Sequence, residues 1–185
     1  MLYIIGGAPR SGKSILSQRI LEEKHIAYFP LDALVSSLLR GAPELNVHYN
    51  QSFVKKSEAL WKFSRPLFTY LMNTQKNYLV EGDSISPKQV KELCEKYSDM
   101  IKVCFLGYAD LSPEEKLELI RRFSGSKEND WTHKHSDEVL SEMISGMIKH
   151  STYLKQECET LDLKYFDVSH DFKGVHEEIY NYFFN

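Results

Sequence analysis

The chain reads as an α/β protein, a three-layer sandwich built around a mostly parallel five-stranded sheet. Three observations lead there. Short apolar runs alternate with longer segments whose apolar residues recur every three or four positions, as when buried parallel strands are joined by helices. Two of those runs are followed by helix-start chemistry, and the first is followed by a glycine-rich turn.

The first run, residues 2–5, breaks at Gly6-Gly7, and helical periodicity then covers 13–24. A second run at 26–29 ends on Pro30 and leads into a helical stretch over 32–40, with Gly41 and Pro43 as punctuation. Residues 51–76 carry Phe53, Leu60, Trp61, Phe68, Leu71 and Met72 at helical spacing, and Pro66 is expected to kink or divide this helix. The third, fourth and fifth strands fall at 78–80, 101–106 and 163–166. Ser86-Pro87-Lys88-Gln89 and Ser112-Pro113-Glu114-Glu115 each read as a capping box. In that arrangement serine and the residue three positions on satisfy each other's amide donors, with proline at the first helical position. Leu140, Met143, Ile144, Met147, Ile148 and Leu154 give the helix over 137–159 one core-facing side, so these methionines are packing residues.

Composition narrows the functional classes. The chain has 185 residues, enough for one domain, with 23 Lys and Arg against 26 Asp and Glu, a net charge of −3. That balance speaks against a nucleic-acid groove, which calls for a basic surface. Cys94, Cys104 and Cys158 are too few and too scattered for a disulfide framework or a four-cysteine zinc site, and are read as buried thiols. No stretch approaches the ~20 apolar residues of a membrane span. A single cytoplasmic domain over 1–185, with no membrane or nucleic-acid partner, is the expectation.

The most specific feature is Gly7-Ala8-Pro9-Arg10-Ser11-Gly12-Lys13-Ser14, a complete G-x-x-x-x-G-K-S lying between the first strand and the first helix. Glycines let successive backbone N–H groups turn into a concave nest, and the helix N-terminus adds the positive end of its dipole. Residues 7–15, Ile15 included, are therefore expected to hold the phosphates of a nucleotide. Lys13 would reach the β- and γ-phosphates, Arg10 would add charge, and the Ser14 hydroxyl would lie on Mg²⁺.

With this loop in this order of elements, the sequence resembles the P-loop small-molecule kinases, the group containing adenylate, shikimate and gluconate kinases. The likeness runs over nearly the whole chain in order and size, while its specific motif is the phosphate loop. It implies the P-loop NTPase fold, ATP and Mg²⁺ as cofactors, and transfer of a γ-phosphoryl group to a small acceptor. Asp32, after the second strand, falls where shikimate- and gluconate-type kinases place an acceptor-binding aspartate; its other reading is a helix cap. Glu81-Gly82-Asp83 looks like the position of the metal-side carboxylate, with Glu81 standing where aspartate is commoner, Asp83 able to share the role and Asp110 a competitor.

Residues 41–76 would form the acceptor side, with Tyr49, Trp61, Phe63 and Arg65 as candidate lining. Residues 123–136 resemble the family's lid, with Arg121 or Arg122 closing over the phosphates or, alternatively, offsetting a helix dipole. His133 and His135 lie in that lid and read as solvated rather than metal-binding. A nucleoside-monophosphate acceptor is disfavoured, because no arginine follows Glu81-Gly82-Asp83. Two alternatives stand beside the kinase: a nucleotide hydrolase or switch without an acceptor, although no guanine-reading Asn-Lys-x-Asp is present, and a nucleotide-binding regulatory module.

Overall fold

The structure is a computed structural model and describes residues 1–123 and 130–185. Five strands form one sheet: β1 (Leu2–Gly7), β2 (Ala27–Pro30), β3 (Tyr78–Gly82), β4 (Ile101–Gly107) and β5 (Lys164–Asp167), in the order β2-β3-β1-β4-β5. Every pairing is parallel. The α/β sandwich is as expected, and the sheet is parallel throughout rather than mostly so.

β1 lies at the centre and is buried along its whole length. Its side chains alternate in period two between the faces. Leu2 and Ile4 join Val80, Val103 and Phe105 in one core, together with Leu60, Phe68 and Met72 of α3 (Phe53–Asn73) and Val90 and Leu93 of α4 (Pro87–Lys96). Tyr3 and Ile5 join Leu79, Cys104 and Leu106 in the other. That second core is covered by Leu16 and Ile20 of α1 (Lys13–Lys24) and by Ile179 and Phe183 of α7 (Phe172–Phe184). Each Leu or Ile so buried contributes about 1.5–3 kcal/mol relative to exposure.

The remaining α-helices among the described residues are α2 (Leu31–Gly41), α5 (Pro113–Phe123) and α6 (Asp137–Thr160), with short 3-10 turns at Pro43–Leu45, Ser98–Met100 and Trp131–Lys134. Three local expectations are corrected. Pro66 does not divide α3, which runs unbroken. The proline is exposed, so the carbonyl that loses its partner faces water, while Leu60, Ser64, Phe68 and Met72 hold the buried side. The serine box is realised at α5, where the Ser112 amide donates to Glu115 at 2.8 Å and the Glu115 amide to Ser112 Oγ at 3.2 Å. At α4 it is not, because the Gln89 side chain instead donates to the Ser57 carbonyl of α3 at 3.4 Å. Finally, α2 begins at Leu31, which places Asp32 inside its first turn rather than at the cap. Cys94, Cys104 and Cys158 are free thiols, the last two buried.

Two close approaches set the geometry of the loop after β1. A Cβ on Gly6 would meet the Phe105 ring at 2.3 Å, and one on Gly7 would meet the Leu106 carbonyl oxygen at 2.1 Å. Gly7 also has φ +143°, which side chains rarely adopt. Gly7→Ala is expected to lower stability by about 2–5 kcal/mol, through backbone strain plus overpacking against β4. Urea unfolding should show this as a lower midpoint at unchanged slope.

Candidate active site

The phosphate loop joins the C-terminal end of β1 to the N-terminus of α1. Arg10 and Gly12 adopt positive φ (61° and 94°), and these turns fold the loop back on itself. Ala8 is fully buried and its amide donates to the Leu106 carbonyl at 2.9 Å, tying the loop to β4. The Pro9 carbonyl accepts from the Tyr108 hydroxyl at 2.7 Å. Among the described residues the buried Ser11 hydroxyl has no hydrogen-bond partner. Ser14 and Ile15 stand exposed on the first turn of α1, where the helix leaves its leading amides without intrahelical acceptors.

Lys13 lies buried beneath this loop and donates from Nζ to the carbonyls of Gly7 (3.0 Å) and Ala8 (2.7 Å). Burial lowers its pKa, and the charges of Glu81, Asp83 and Asp32 oppose that shift. Parallel pairing of β1 with β3 explains the company, since Ile5 stands beside Glu81 and Gly6 beside Gly82. The sheet therefore delivers Glu81 and Asp83 to the edge of the phosphate loop. β3 also pairs with β2, setting Pro30 beside Glu81 and bringing the start of α2, with Asp32, to the same end. Asp32 is solvent-accessible at the mouth of this cleft yet has protein on several sides. That surrounding protein raises its carboxyl pKa, Asp83 adds to the rise, and Lys56 and Lys13 oppose it. The exposed Tyr49 donates its hydroxyl to the Asp32 backbone carbonyl at 3.1 Å.

The largest surprise in the cleft is Lys56. It projects from α3 into the protein and binds both oxygens of Asp83, at 3.0 and 3.1 Å, with the two side chains 3% and 15% exposed. Ser84 donates to Asp83 as well, at 2.7 Å. Burial pushes the Asp83 carboxyl up, but Lys56, Lys13 and Ser84 together outweigh it and hold the group below the usual carboxylate range. Beside this pair, His150 of α6 stacks on Phe53 with ring centroids 4.0 Å apart, and burial pushes its pKa down to about 4, leaving it neutral at pH 7. Amphipathic spacing did not flag Lys56, since a lysine beside Phe53 reads as a solvated turn. The one available signal was its neighbour Ser57, small and polar on the buried side.

A second lysine missed in the sequence supports the loop from behind. Lys116 of α5 donates to the Arg10 carbonyl at 3.0 Å with its ammonium 3.6 Å from the centre of the Tyr108 ring. Burial, helped by the charges of Arg10 and Lys13, brings its pKa down to about 7. α7 was also not anticipated. It packs Phe172 and His176 against the loop so closely that a Cβ on Gly12 would lie 2.6 and 2.8 Å from them.

The expected cluster of Arg10, Lys13, Arg121 and Arg122 around one polyphosphate is not what the described residues form. Arg10 pairs with Asp130 at 3.0 Å. Arg121 gives its guanidinium to Asp137 and to the carbonyls of Thr132 (3.1 Å) and His135 (2.8 Å), bracing the 3-10 turn against α5 and α6. Arg122 is exposed beside Phe123. Residues 124–129 of the expected lid lie outside the described residues. Asp110 binds Lys155 at 3.2 Å on the surface. Arg65 faces away from the cleft: from Lys56 to Arg65, at about 100° per residue, α3 turns to its opposite side. There Arg65 lines a groove with Trp61, Lys62, Lys96 and Tyr97. Trp61 and Phe63 pack on the core instead of lining a pocket with Tyr49. Among the described residues no group of three or more His, Cys, Asp or Glu side chains could hold a metal by itself, His133 and His135 included. No helix among them is long and apolar enough to cross a membrane.

No protein-family model and no curated protein matches the chain. Solved structures do. A shikimate kinase from Bacteroides thetaiotaomicron superimposes with TM-score 0.57 at 12% identity, over 98% of this chain and 96% of the other. A gluconokinase from Sinorhizobium meliloti 1021 gives TM-score 0.59 at 14% identity, over 97% and 89%. An uncharacterized protein from Eubacterium ventriosum gives 0.55 at 12%, over 98% and 97%. At these identities the likeness establishes the fold: the chain has the P-loop α/β architecture of those kinases, end to end.

The buried Lys56–Asp83 pair makes a stability prediction. Lys56→Met strands a buried carboxylate and is expected to cost about 3–5 kcal/mol, whereas Lys56→Met with Asp83→Leu should recover most of that loss. Thermal and urea unfolding of the single and double variants provide the check, and equal destabilisation in both would show that the pair's charges are not what matters.

Proposed function

We propose that the protein is a phosphotransferase that moves the γ-phosphoryl group of ATP to a hydroxyl of a small acceptor. The observation that carries this reading is the Lys13 ammonium, buried under a phosphate loop and facing Glu81, Asp83 and Asp32. A structural turn has no use for a buried cation held by loop carbonyls within the field of three carboxylates. The end-to-end likeness to two kinases supports the same reading.

In this mechanism the amides of residues 7–15 and the Lys13 ammonium bind the β- and γ-phosphates, for which Lys13 gives up its own loop carbonyls. Ser14 and Glu81 would hold Mg²⁺. The donor set fits that ion, because Mg²⁺ keeps most of its ligands as water and phosphate oxygen and needs one or two protein oxygens. Asp83 is left out of this role, being already held by Lys56 and Ser84. Bound there, the ion neutralises charge on the transferred group.

Asp32 accepts the acceptor's O–H and orients its oxygen toward the γ-phosphorus. The new oxygen–phosphorus bond forms as the bond from that phosphorus to the β–γ bridging oxygen breaks. The electron pair leaves with ADP, and the proton passes through Asp32 to solvent. Arg122 is assigned as the lid arginine, since Arg121 is committed to bracing the segment behind it. Positioning and electrostatics supply the rate enhancement.

The test is ADP release from Mg-ATP across a panel of hydroxylated compounds. Acceptor-dependent release should vanish in Lys13→Ala, and Asp32→Asn should keep ATP affinity within about twofold while reducing kcat by roughly 100-fold or more. ATP turnover indifferent to every acceptor would instead mark a hydrolase.

The pH profile gives a second check. Transfer requires ionised Asp32, whose pKa is raised by the protein packed around it and by Asp83. Activity is therefore lost on acidification at a higher pH than an ordinary aspartate would give. Asp83→Asn removes one of the raising charges and should move that acid limb to lower pH.

A further inference from the structure

We infer that the acceptor carries no carboxylate and is a neutral or, preferentially, ammonium-bearing hydroxyl compound, because, with Lys13 taken up by the phosphates, the acceptor side sets Asp32 and Asp83 against one ammonium, Lys56, that Asp83 already binds through both oxygens. The inference rests on the phosphotransferase reading and adds to it the charge of the substrate.

Recognition of a carboxylate calls for a cation with donors to spare, most effectively the bidentate fork of arginine. Each arginine of the chain is engaged or placed elsewhere. Arg10 is paired with Asp130, Arg19 with Glu23 and Glu177, and Arg121 with Asp137. Arg65 lies on the far side of α3, and Arg122 stands exposed beside Phe123. Arg40 is at the other end of α2 from Asp32, about 12 Å along the helix axis.

Among the described residues, and with Lys13 reserved for the phosphates, the cation on the acceptor side is Lys56, and a substrate carboxylate could claim more than its one spare N–H only by drawing it away from Asp83. That exchange is costly, since a desolvated carboxylate stripped of its counter-charge is among the least favourable groups in a protein interior. His150, the remaining basic side chain beside Asp83, is stacked on Phe53 and uncharged at neutral pH. With Glu81 assigned to Mg²⁺ and Lys13 to the phosphates, Asp32 and Asp83 outweigh Lys56. The field at the acceptor hydroxyl is thus negative, repelling a carboxylate and favouring an ammonium group. The exposed ring of Tyr49 beside Asp32 offers an apolar face of the kind a sugar or an amino alcohol can lie against.

The experiment uses the full chain with Mg-ATP and triplets of acceptors matched in size and differing in charge. D-glucosamine, D-glucose and D-gluconate form one triplet; an amino alcohol, a polyol and a hydroxy acid of equal length form another. In any triplet that is turned over, kcat/KM for the ammonium or neutral member is expected to exceed that for the acid by about tenfold or more. Where turnover is too slow to rank them, saturation-transfer NMR in the presence of ADP ranks binding in the same order.

An acid that is the best member of its triplet overturns the inference while acceptor-dependent ADP release keeps the phosphotransferase reading intact. Signals from acids alone, or from no triplet at all, also overturn it. ATP turnover that ignores every acceptor overturns the phosphotransferase reading first. A variant pair reads out the proposed cause. Asp83→Asn frees the Lys56 ammonium, and Lys56→Arg keeps Asp83 paired while adding spare N–H donors. Both should shift the acid-to-neutral preference toward the acid by about tenfold. An unchanged preference in whichever of the two remains folded, judged by circular dichroism and melting, counts against the proposal.

Discussion

The architecture turns on keeping one ammonium ion, that of Lys13, buried and charged at the end of a parallel sheet. A lone buried charge is unfavourable by far more than a domain's whole stability margin, so it must be met by carbonyls and carboxylates. The carbonyls are those of Gly7 and Ala8, reachable because the loop turns back at Arg10 and Gly12. The carboxylates arrive from β3 and from the start of α2, reachable because β1 sits between β3 and β4 with β2 next in line. Change the strand order and Lys13 loses its company. The binding crevice follows from the same fact, since it opens beyond the carboxyl ends of the strands, where open α/β sheets place their ligands.

Three buried lysines converge on this region, and each is accommodated differently. Lys13 is held by backbone carbonyls, Lys56 by both oxygens of Asp83, and Lys116 by a carbonyl and the face of Tyr108. These solutions differ in how readily they open. An ammonium held by carbonyls or a ring face leaves no counter-charge behind when it moves. A buried ion pair resists exchange because its partner would be left behind.

Much of this was legible in the residue order. The phosphate loop, the five strands, and the serine box at Ser112 follow from local rules that act over a few residues: glycine's conformational range, period-two burial, and a side chain reaching an amide three positions away. Expectations failed where a partner distant in sequence decided the outcome. Gln89 left its box for a carbonyl on α3, Pro66 was overridden by the packing on either side of it, and Arg121 was recruited by a turn that follows it in the chain. Lys56 is the sharpest case. Its neighbours in the chain suggest a solvated face, and only the 27 residues separating it from Asp83, once folded, turn it inward.

By itself, then, the sequence determined the class of fold and the glycine-rich loop between β1 and α1, because both are written in short-range patterns that need no knowledge of the rest of the chain. Tertiary structure decided which cations face the cleft and which are spent on bracing it. Those depend on charge pairs formed across elements, and Coulomb interactions in a buried site are set by separations in space that residue numbers do not record.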